Sequence, residues 1–204
     1  MMRAHPFLRD QRGASAAEFA LVLPLFLLLL LGILDSGRLL WELNQIKKAT
    51  QVGARMAIVT DPVDGSLATE SYVGHDPGSG ILFQGDVIPA SALGRITCDD
   101  TTCTCQTSPC KGSRSHDADA FNNVVGRMSA HYPLITAENV TISYLGSGLG
   151  FAGDPTGPDL SPTVEVEVTG LVFQPAASFL LASFNMPAVR TSMTAEDQAG
   201  AASN

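Results

Sequence analysis

A single run of apolar residues constrains this 204-residue chain more than any other feature. Between Arg12 and Asp35 lie 22 residues, Gly13 to Leu34, whose only charged side chain is that of Glu18. At about 1.5 Å per residue in an α-helix, the run is about 33 Å long, enough to cross a hydrocarbon core of about 30 Å. It therefore predicts a membrane-spanning helix.

Charge is distributed unevenly on the two sides of this run. Residues 1–13 carry three arginines and one aspartate, a net charge of +2, whereas residues 61–204 carry 5 basic and 16 acidic side chains, a net charge of −11. Because basic residues favour the cytoplasmic side of a membrane, we expect the N-terminus in the cytoplasm and the acidic part outside it. The formal charge of the whole chain, −8, argues against a nucleic-acid partner.

A cleaved secretory signal is the alternative to a retained membrane anchor. The apolar run is longer than the ~7–15 residues of a signal's apolar region, and no Ala-x-Ala-like cleavage site follows Leu34. We therefore expect a retained anchor. A cleaved signal would instead give a soluble product that lacks Leu27–Leu31.

The helical pattern continues beyond the apolar run. Apolar side chains recur every three or four residues as far as Pro62, with polar ones elsewhere around the cylinder. These positions are Leu39, Leu43, Ile46, Ala49, Val52, Met56 and Val59. One helix is therefore predicted over residues 14–60, membrane-spanning at first and amphipathic beyond, with a kink at Pro24.

The remainder of the chain, residues 61–204, has the pattern of a small α+β domain. Gly, Pro, Ser, Thr and Asp predominate over 61–115, which predicts irregular structure with one or two short strands. Ser115 as N-cap, with helical spacing up to Tyr132, predicts a second helix. Alternating residues at 140–144, 164–168 and 189–195 predict three strands, the last two separated by an apolar segment at 176–184. We expect an antiparallel meander that packs against the outer half of the long helix.

Four cysteines, Cys98, Cys103, Cys105 and Cys110, lie within thirteen residues of the expected external domain. In an oxidising compartment an even number of cysteines indicates two disulfides, here with three possible connectivities. A zinc cluster is the alternative, although C-x4-C-x-C-x4-C does not match the usual ligand spacings. Cys103 and Cys105 are not expected to pair with each other, because so short a loop strains the bond.

A motif with chemical meaning lies at the N-terminal edge of the apolar run. It reads Arg12-Gly13-Ala14-Ser15-Ala16-Ala17-Glu18-Phe19, followed by apolar residues and Pro24. This motif resembles the processing site of type IV prepilins, and most closely that of the TadE-like pseudopilins of tight-adherence (Flp) pili. The resemblance implies a pilin-like fold and cleavage between Gly13 and Ala14 by a membrane-embedded prepilin peptidase.

Glu18 is costly inside an apolar span, because a charged side chain at the bilayer centre costs ~2.5–3.5 kcal/mol and somewhat less near the edge. In a pilin-like assembly the new amine of a neighbouring Ala14 would meet this carboxylate and fix the stagger between subunits. The alternative is an ordinary anchor in which Glu18 reaches the headgroups.

Together these features predict a cytoplasmic leader (1–13), a helix (14–60) and a periplasmic α+β domain (61–204) that contains a cysteine loop at 98–110. The resemblance implies a non-enzymatic pseudopilin or minor pilin of the bacterial inner membrane. Its implied partners are the prepilin peptidase, other pilins, the inner-membrane pilus platform and the lipid bilayer, and its implied role is pilus assembly and cell adhesion. We expect no cofactor, metal or small-molecule substrate. The alternative function is a single-pass anchored periplasmic binding or adhesin domain.

Three weaker motifs are interpreted as structural. The match to G-x-G-x-x-G at 148–153 is followed by Asp154-Pro155, so no helix can begin there to bind a phosphate. Consecutive residues such as Ser115, His116 and Asp117 rarely converge as a catalytic triad. The aspartates around 99 and 154 lack the order of a calcium loop.

Overall fold

The computed structural model describes residues 14–78, 80–176, 178, 182–195 and 198. Within them, the long helix α1 covers Ala14–Ala57 and runs through Pro24 without a break. A turn follows it, in which the N–H groups of Ile58 and Thr60 still donate to the carbonyls of Ala54 and Met56. The prediction of one continuous helix is confirmed, and it ends three residues earlier than expected.

The chain divides into two compact units. The helical unit comprises Met1–Trp41 and Phe173–Phe184, and the sheet unit comprises Glu42–Val172 and Asn185–Asn204. The helical unit thus joins the apolar part of α1 to a segment that lies far away in the sequence.

The sheet unit is built on five antiparallel strands. They are β1 (Arg95–Cys98), β2 (Cys103–Thr107), β3 (Val140–Leu145), β4 (Thr163–Val168) and β7 (Val189–Thr194). Their order across the sheet is β2-β1-β3-β4-β7. Two short strands, β5 (Val172–Phe173) and β6 (Phe184–Asn185), pair separately.

The predicted meander is present as β3, β4 and β7, and the predicted α+β class is confirmed. The sheet is larger than the predicted three strands, because β1 and β2 extend it beyond β3. These two strands belong to the segment in which one or two short strands were expected. The apolar pieces at 81–83 and 87–88 do not form strands, apart from an isolated bridge between Val87 and Phe151.

The core lies where the outer part of α1 meets the sheet and the second helix, α2 (Ala118–His131). A Cβ atom added at Gly53 of α1 would stand 2.6 Å from Met128 Sδ and 3.5 Å from Val166 Cγ1. The hydroxyls of Thr50 and Thr191 also form a hydrogen bond of 3.0 Å. The prediction that the outer half of α1 packs against the sheet is therefore confirmed.

The start of α2 differs from the prediction by two residues. Asp117 is the N-cap, and its carboxylate accepts hydrogen bonds from the N–H groups of Asp119 and Ala120. Ser115 lies two residues before the cap, and its own N–H donates to Asp64 Oδ1 at 3.1 Å. An aspartate and a serine are nearly equivalent N-cap residues, so the sequence alone favours neither.

Candidate functional site: the membrane-proximal end of the long helix

The inner end of α1 carries the candidate processing and assembly residues. Gly13 lies outside the described residues, and Ala14 is the first residue of the helix. Glu18 follows four residues later, about 6 Å along the axis at 1.5 Å per residue, with its side chain exposed. Ser15, Ala16 and Ala17 are exposed as well, so this turn presents only small side chains beside one carboxylate.

The next four turns of α1 are apolar and largely exposed. Leu21 is 80% exposed, Leu25 70% and Leu29 62%, and none of the residues in an 18-residue apolar stretch of the helix is buried. Among the described helices α1 is the one long and apolar enough to cross a membrane. Exposed apolar surface of this extent is costly in water and stable in lipid.

A polar contact that sequence reasoning missed lies at the outer end of this apolar surface. Asp35, the first charged residue after Glu18, is only 5% exposed, and its Oδ1 accepts a hydrogen bond of 2.8 Å from the N–H of Ala176. The guanidinium of Arg38 stands 3.5 Å from the same oxygen and 5.6 Å from the ring centre of Phe173. The one sequence signal that could have indicated this contact is the position of the acidic residue Asp35 directly after the apolar run.

The cysteine loop contains two disulfides, Cys98–Cys103 and Cys105–Cys110. The first joins β1 to β2 with its Cα atoms 4.0 Å apart, and Cys98 is fully buried. The second has its Cα atoms 6.0 Å apart and joins β2 to the segment after it. The predicted disulfides are confirmed, and the zinc alternative is wrong because all four sulfurs are bonded in pairs.

A buried ion cluster supports the irregular segment between α1 and α2. Arg114 donates to Asp64 Oδ2 at 2.9 Å and lies 3.4 Å from Glu70 Oε1, and all three side chains are less than 10% exposed. Burial raises the pKa of Glu70, and the charge of Arg114 opposes this increase. Each charge has a partner of opposite sign, so we interpret the cluster as a structural support for this segment.

The weaker motifs occupy structural positions. His116 Nε2 lies 3.0 Å from the carbonyl oxygen of Asp99, and Asp117 caps α2. Gly150 has a φ of +119°, and a Cβ there would overlap the carbonyl oxygen of Asp159, so this loop needs glycine for its backbone path. The N–H groups of Thr101 and Thr102 donate to Asp99 and lower its pKa. Within the described residues no group of three His, Cys, Asp or Glu side chains could hold a metal ion.

A comparison with models of protein families gives a match over the N-terminal part of the chain. A family model described as TadE-like protein matches residues 13–55, about a fifth of the chain, from Gly13 almost to the end of α1. Comparisons with curated proteins and with solved structures give no match. This match and the exposed apolar helix α1 together indicate a membrane-anchored protein associated with tight-adherence (Tad) pili. Residues 13–55 are therefore similar to TadE-like proteins, as the N-terminal motif predicted.

Proposed function

We propose that this protein is a pseudopilin or minor pilin that supports the assembly of a tight-adherence pilus. A prepilin peptidase would cut between Gly13 and Ala14. The remaining chain would stay in the bacterial inner membrane through α1, with residues 61–204 in the periplasm. On this proposal the protein has a structural role and is not an enzyme.

The observation that carries the proposal is the position of the family match. It begins at Gly13, the residue that would precede the cut, and includes Glu18 and the whole apolar run. The match therefore covers the segment in which a prepilin-like protein needs its processing glycine, its carboxylate and its membrane helix. The helix itself begins at Ala14, the residue whose amine cleavage would free.

The chemistry of Glu18 supplies the assembly step. Its carboxylate is the single charge in a run of 22 residues, so it gains from a positive partner at the same depth in the membrane. A new Ala14 amine on a neighbouring subunit provides that partner. The small side chains of Ser15, Ala16 and Ala17 allow two helices to approach closely around the pair.

Replacement of Glu18 tests this proposal. In Glu18→Leu the helix should still enter the membrane, because the change removes a charge from the span, but the protein should no longer assemble with pilins. The matched control, Glu18→Leu with Val22→Glu, restores one carboxylate a single helical turn away. It should also fail to assemble, because the stagger between subunits depends on the position of the charge.

The readout is membrane retention together with co-purification of pilins and the yield of surface pili. Retention of both variants with loss of assembly supports the proposal. Normal assembly of Glu18→Leu would overturn it and would leave α1 as a simple anchor.

An anchored binding or adhesin domain is the second candidate function, and one observation favours it. Five exposed apolar side chains lie on two loops of the sheet unit that pair through the bridge between Val87 and Phe151. They are Ile81 (58%), Phe83 (70%), Val87 (58%), Leu149 (54%) and Phe151 (52%). Large exposed apolar side chains on neighbouring loops are typical of interaction surfaces. In such a protein Glu18→Leu would be harmless, whereas Phe83→Ser with Phe151→Ser would abolish binding.

A further inference from the structure

The segment Phe173–Phe184, here called the uncharged loop, differs in composition from the rest of the external part of the chain. Residues 61–204 contain 21 charged side chains, but between Glu167 and Arg190 there are 22 consecutive residues with none. The loop belongs to this stretch, whose residues 176–184 are largely apolar. An uncharged, largely apolar stretch of this length is unusual in so acidic a part of the chain.

The uncharged loop forms one compact unit with the apolar part of α1. Its backbone is held at Ala176, whose N–H donates to the buried carboxylate of Asp35 at 2.8 Å. Its two ends meet through Phe173 and Phe184, whose ring centres are 5.5 Å apart. The guanidinium of Arg38 lies 5.6 Å from the ring centre of Phe173. Phe173 and Ala176, at the beginning of the loop, are therefore held at the level of Asp35 and Arg38 of the helix.

That level is the outer edge of the apolar run. Asp35 directly follows Leu34, the last residue of a run about as long as a hydrocarbon core is thick. Leu40 and Trp41, which follow within two turns, are 62% and 59% exposed. Tryptophan is enriched at membrane interfaces, where its ring fits the headgroup region. In a membrane crossed by α1, the residues around Asp35 would therefore lie at the outer headgroups.

The described part of the loop is suited to that region. Ala176, Ser178, Ala182 and Ser183 are exposed, and Phe184 is 46% exposed. Arg38 pairs with Asp35 yet keeps 49% of its side chain exposed, so it can also face lipid phosphates. The acidic remainder of the external domain would be repelled by anionic lipids, whereas the uncharged loop would not.

We propose that the described residues of the uncharged loop, 173–176, 178 and 182–184, form a second membrane contact, which lies in the outer headgroup region beside α1 and takes a lipid bilayer as its partner. This contact would be continuous with the apolar surface of α1. It would add an interfacial contact to the membrane-spanning helix. This inference requires that α1 crosses a bilayer, and it is independent of processing and pilus assembly.

Fluorescence quenching in proteoliposomes tests this contact. The full chain is reconstituted in phosphatidylethanolamine–phosphatidylglycerol vesicles with a bimane probe on one introduced cysteine. Ser183→Cys reports on the loop, Leu29→Cys on the spanning part of α1 and Thr101→Cys on a polar turn of the sheet unit. The four native cysteines are paired in disulfides, so non-reducing labelling addresses the introduced thiol, and the unsubstituted protein gives the background.

The proposal predicts that the Ser183 probe loses emission with lipids that carry a nitroxide near the headgroup and loses less with a nitroxide deep in the acyl chains. Leu29 should show the opposite depth order, and Thr101 should respond only to a water-soluble quencher. Quenching of the Ser183 probe from water alone would overturn the proposal. Protection from both lipid and aqueous quenchers would also overturn it, since another protein surface would then cover the loop. If Leu29 is not quenched by lipid either, the membrane anchor itself is refuted.

Discussion

The two units of this chain differ in where most of their large apolar side chains lie: exposed in the helical unit, and buried in a core in the sheet unit. In the helical unit, Leu21, Leu25 and Ile33 are between 64% and 80% exposed. In the sheet unit, Ile96 and Ile142 are completely buried. The sheet unit therefore makes its own apolar interior, whereas the helical unit needs an apolar medium supplied from outside. Apolar composition alone does not distinguish a protein core from a membrane-spanning helix, but the length and continuity of the apolar run do.

The largest expected difference is between two truncations of apolar side chains. Ile142→Ala should lower the free energy of unfolding of the sheet unit by about 2–5 kcal/mol, because it leaves a cavity in a packed core. Chemical denaturation in detergent, followed by circular dichroism, measures the change.

Leu29→Ala is the matched control, since Leu29 is 62% exposed and lies in the helical unit. It should leave the same transition within about 0.5 kcal/mol of the unsubstituted protein. Equal losses for the two variants would mean that the apolar face of α1 is packed against protein, which would remove the contrast between the units.

The disulfides belong to the sheet unit alone, so their removal should separate folding from membrane retention. Cys98→Ser with Cys103→Ser opens a short loop, and chain entropy assigns about 2 kcal/mol of stability to such a closure. Because Cys98 is also fully buried, this pair should cost more than Cys105→Ser with Cys110→Ser, which lies nearer the surface.

Denaturation midpoints compare the two double variants, and alkaline extraction of membranes checks retention. Both should remain in the membrane. Release of either variant would show that the sheet unit contributes to anchoring.

Two glycines of α1 allow a packed position and an unpacked position of the same helix to be compared. Gly53→Leu should destabilise the sheet unit by about 1–3 kcal/mol, because Met128 and Val166 already fill the space around this position. Gly32→Leu should be tolerated, since no atom lies within 4 Å of a Cβ added there. Thermal unfolding distinguishes the variants, and a similar loss at both positions would contradict the structure.

The smallest expected effect depends on pH. Arg95 donates to Glu165 at 2.8 Å, and this hydrogen bond lowers the pKa of Glu165 below its ordinary value of 4.5. A lowered folded-state pKa stabilises the protein above the ordinary value, and the contribution is lost as the pH falls through the folded-state pKa.

Glu165→Gln should therefore cost about 1 kcal/mol at neutral pH, where a partly exposed charged hydrogen bond is lost. The difference from the unsubstituted protein should shrink in acid. Denaturation at pH 7 and at successively lower pH measures it, and a difference that grows on acidification would refute the assignment.

The sequence predicted those elements whose pattern is local. The spacing of apolar residues identified α1 and α2, and the alternation at 164–168 identified β4, because each pattern repeats within one element. The predicted processing and assembly residues, Gly13, Ala14 and Glu18, stay predictions, and the family match covers all three.

What escaped prediction depends on partners distant in the sequence. β1 alternates between buried and half-buried residues over only four positions, too few to identify a strand, and β2 is exposed along most of its length. Both strands are defined by pairing, β2 with β1 and β1 with β3. The contact of Asp35 with Ala176 joins positions 141 residues apart and involves a backbone N–H, which no sequence pattern encodes. The N-cap of α2 was placed two residues too early because Ser115 and Asp117 are nearly equivalent as N-cap residues.

The position of the mature N-terminus tests the central proposal most directly. The protein would be isolated from membranes of cells with and without their own prepilin peptidase, and its N-terminal sequence and intact mass would be determined. We predict an N-terminus at Ala14 in the presence of the peptidase and the intact leader, residues 1–13, in its absence. An intact leader in both strains would contradict the assignment as a processed pseudopilin.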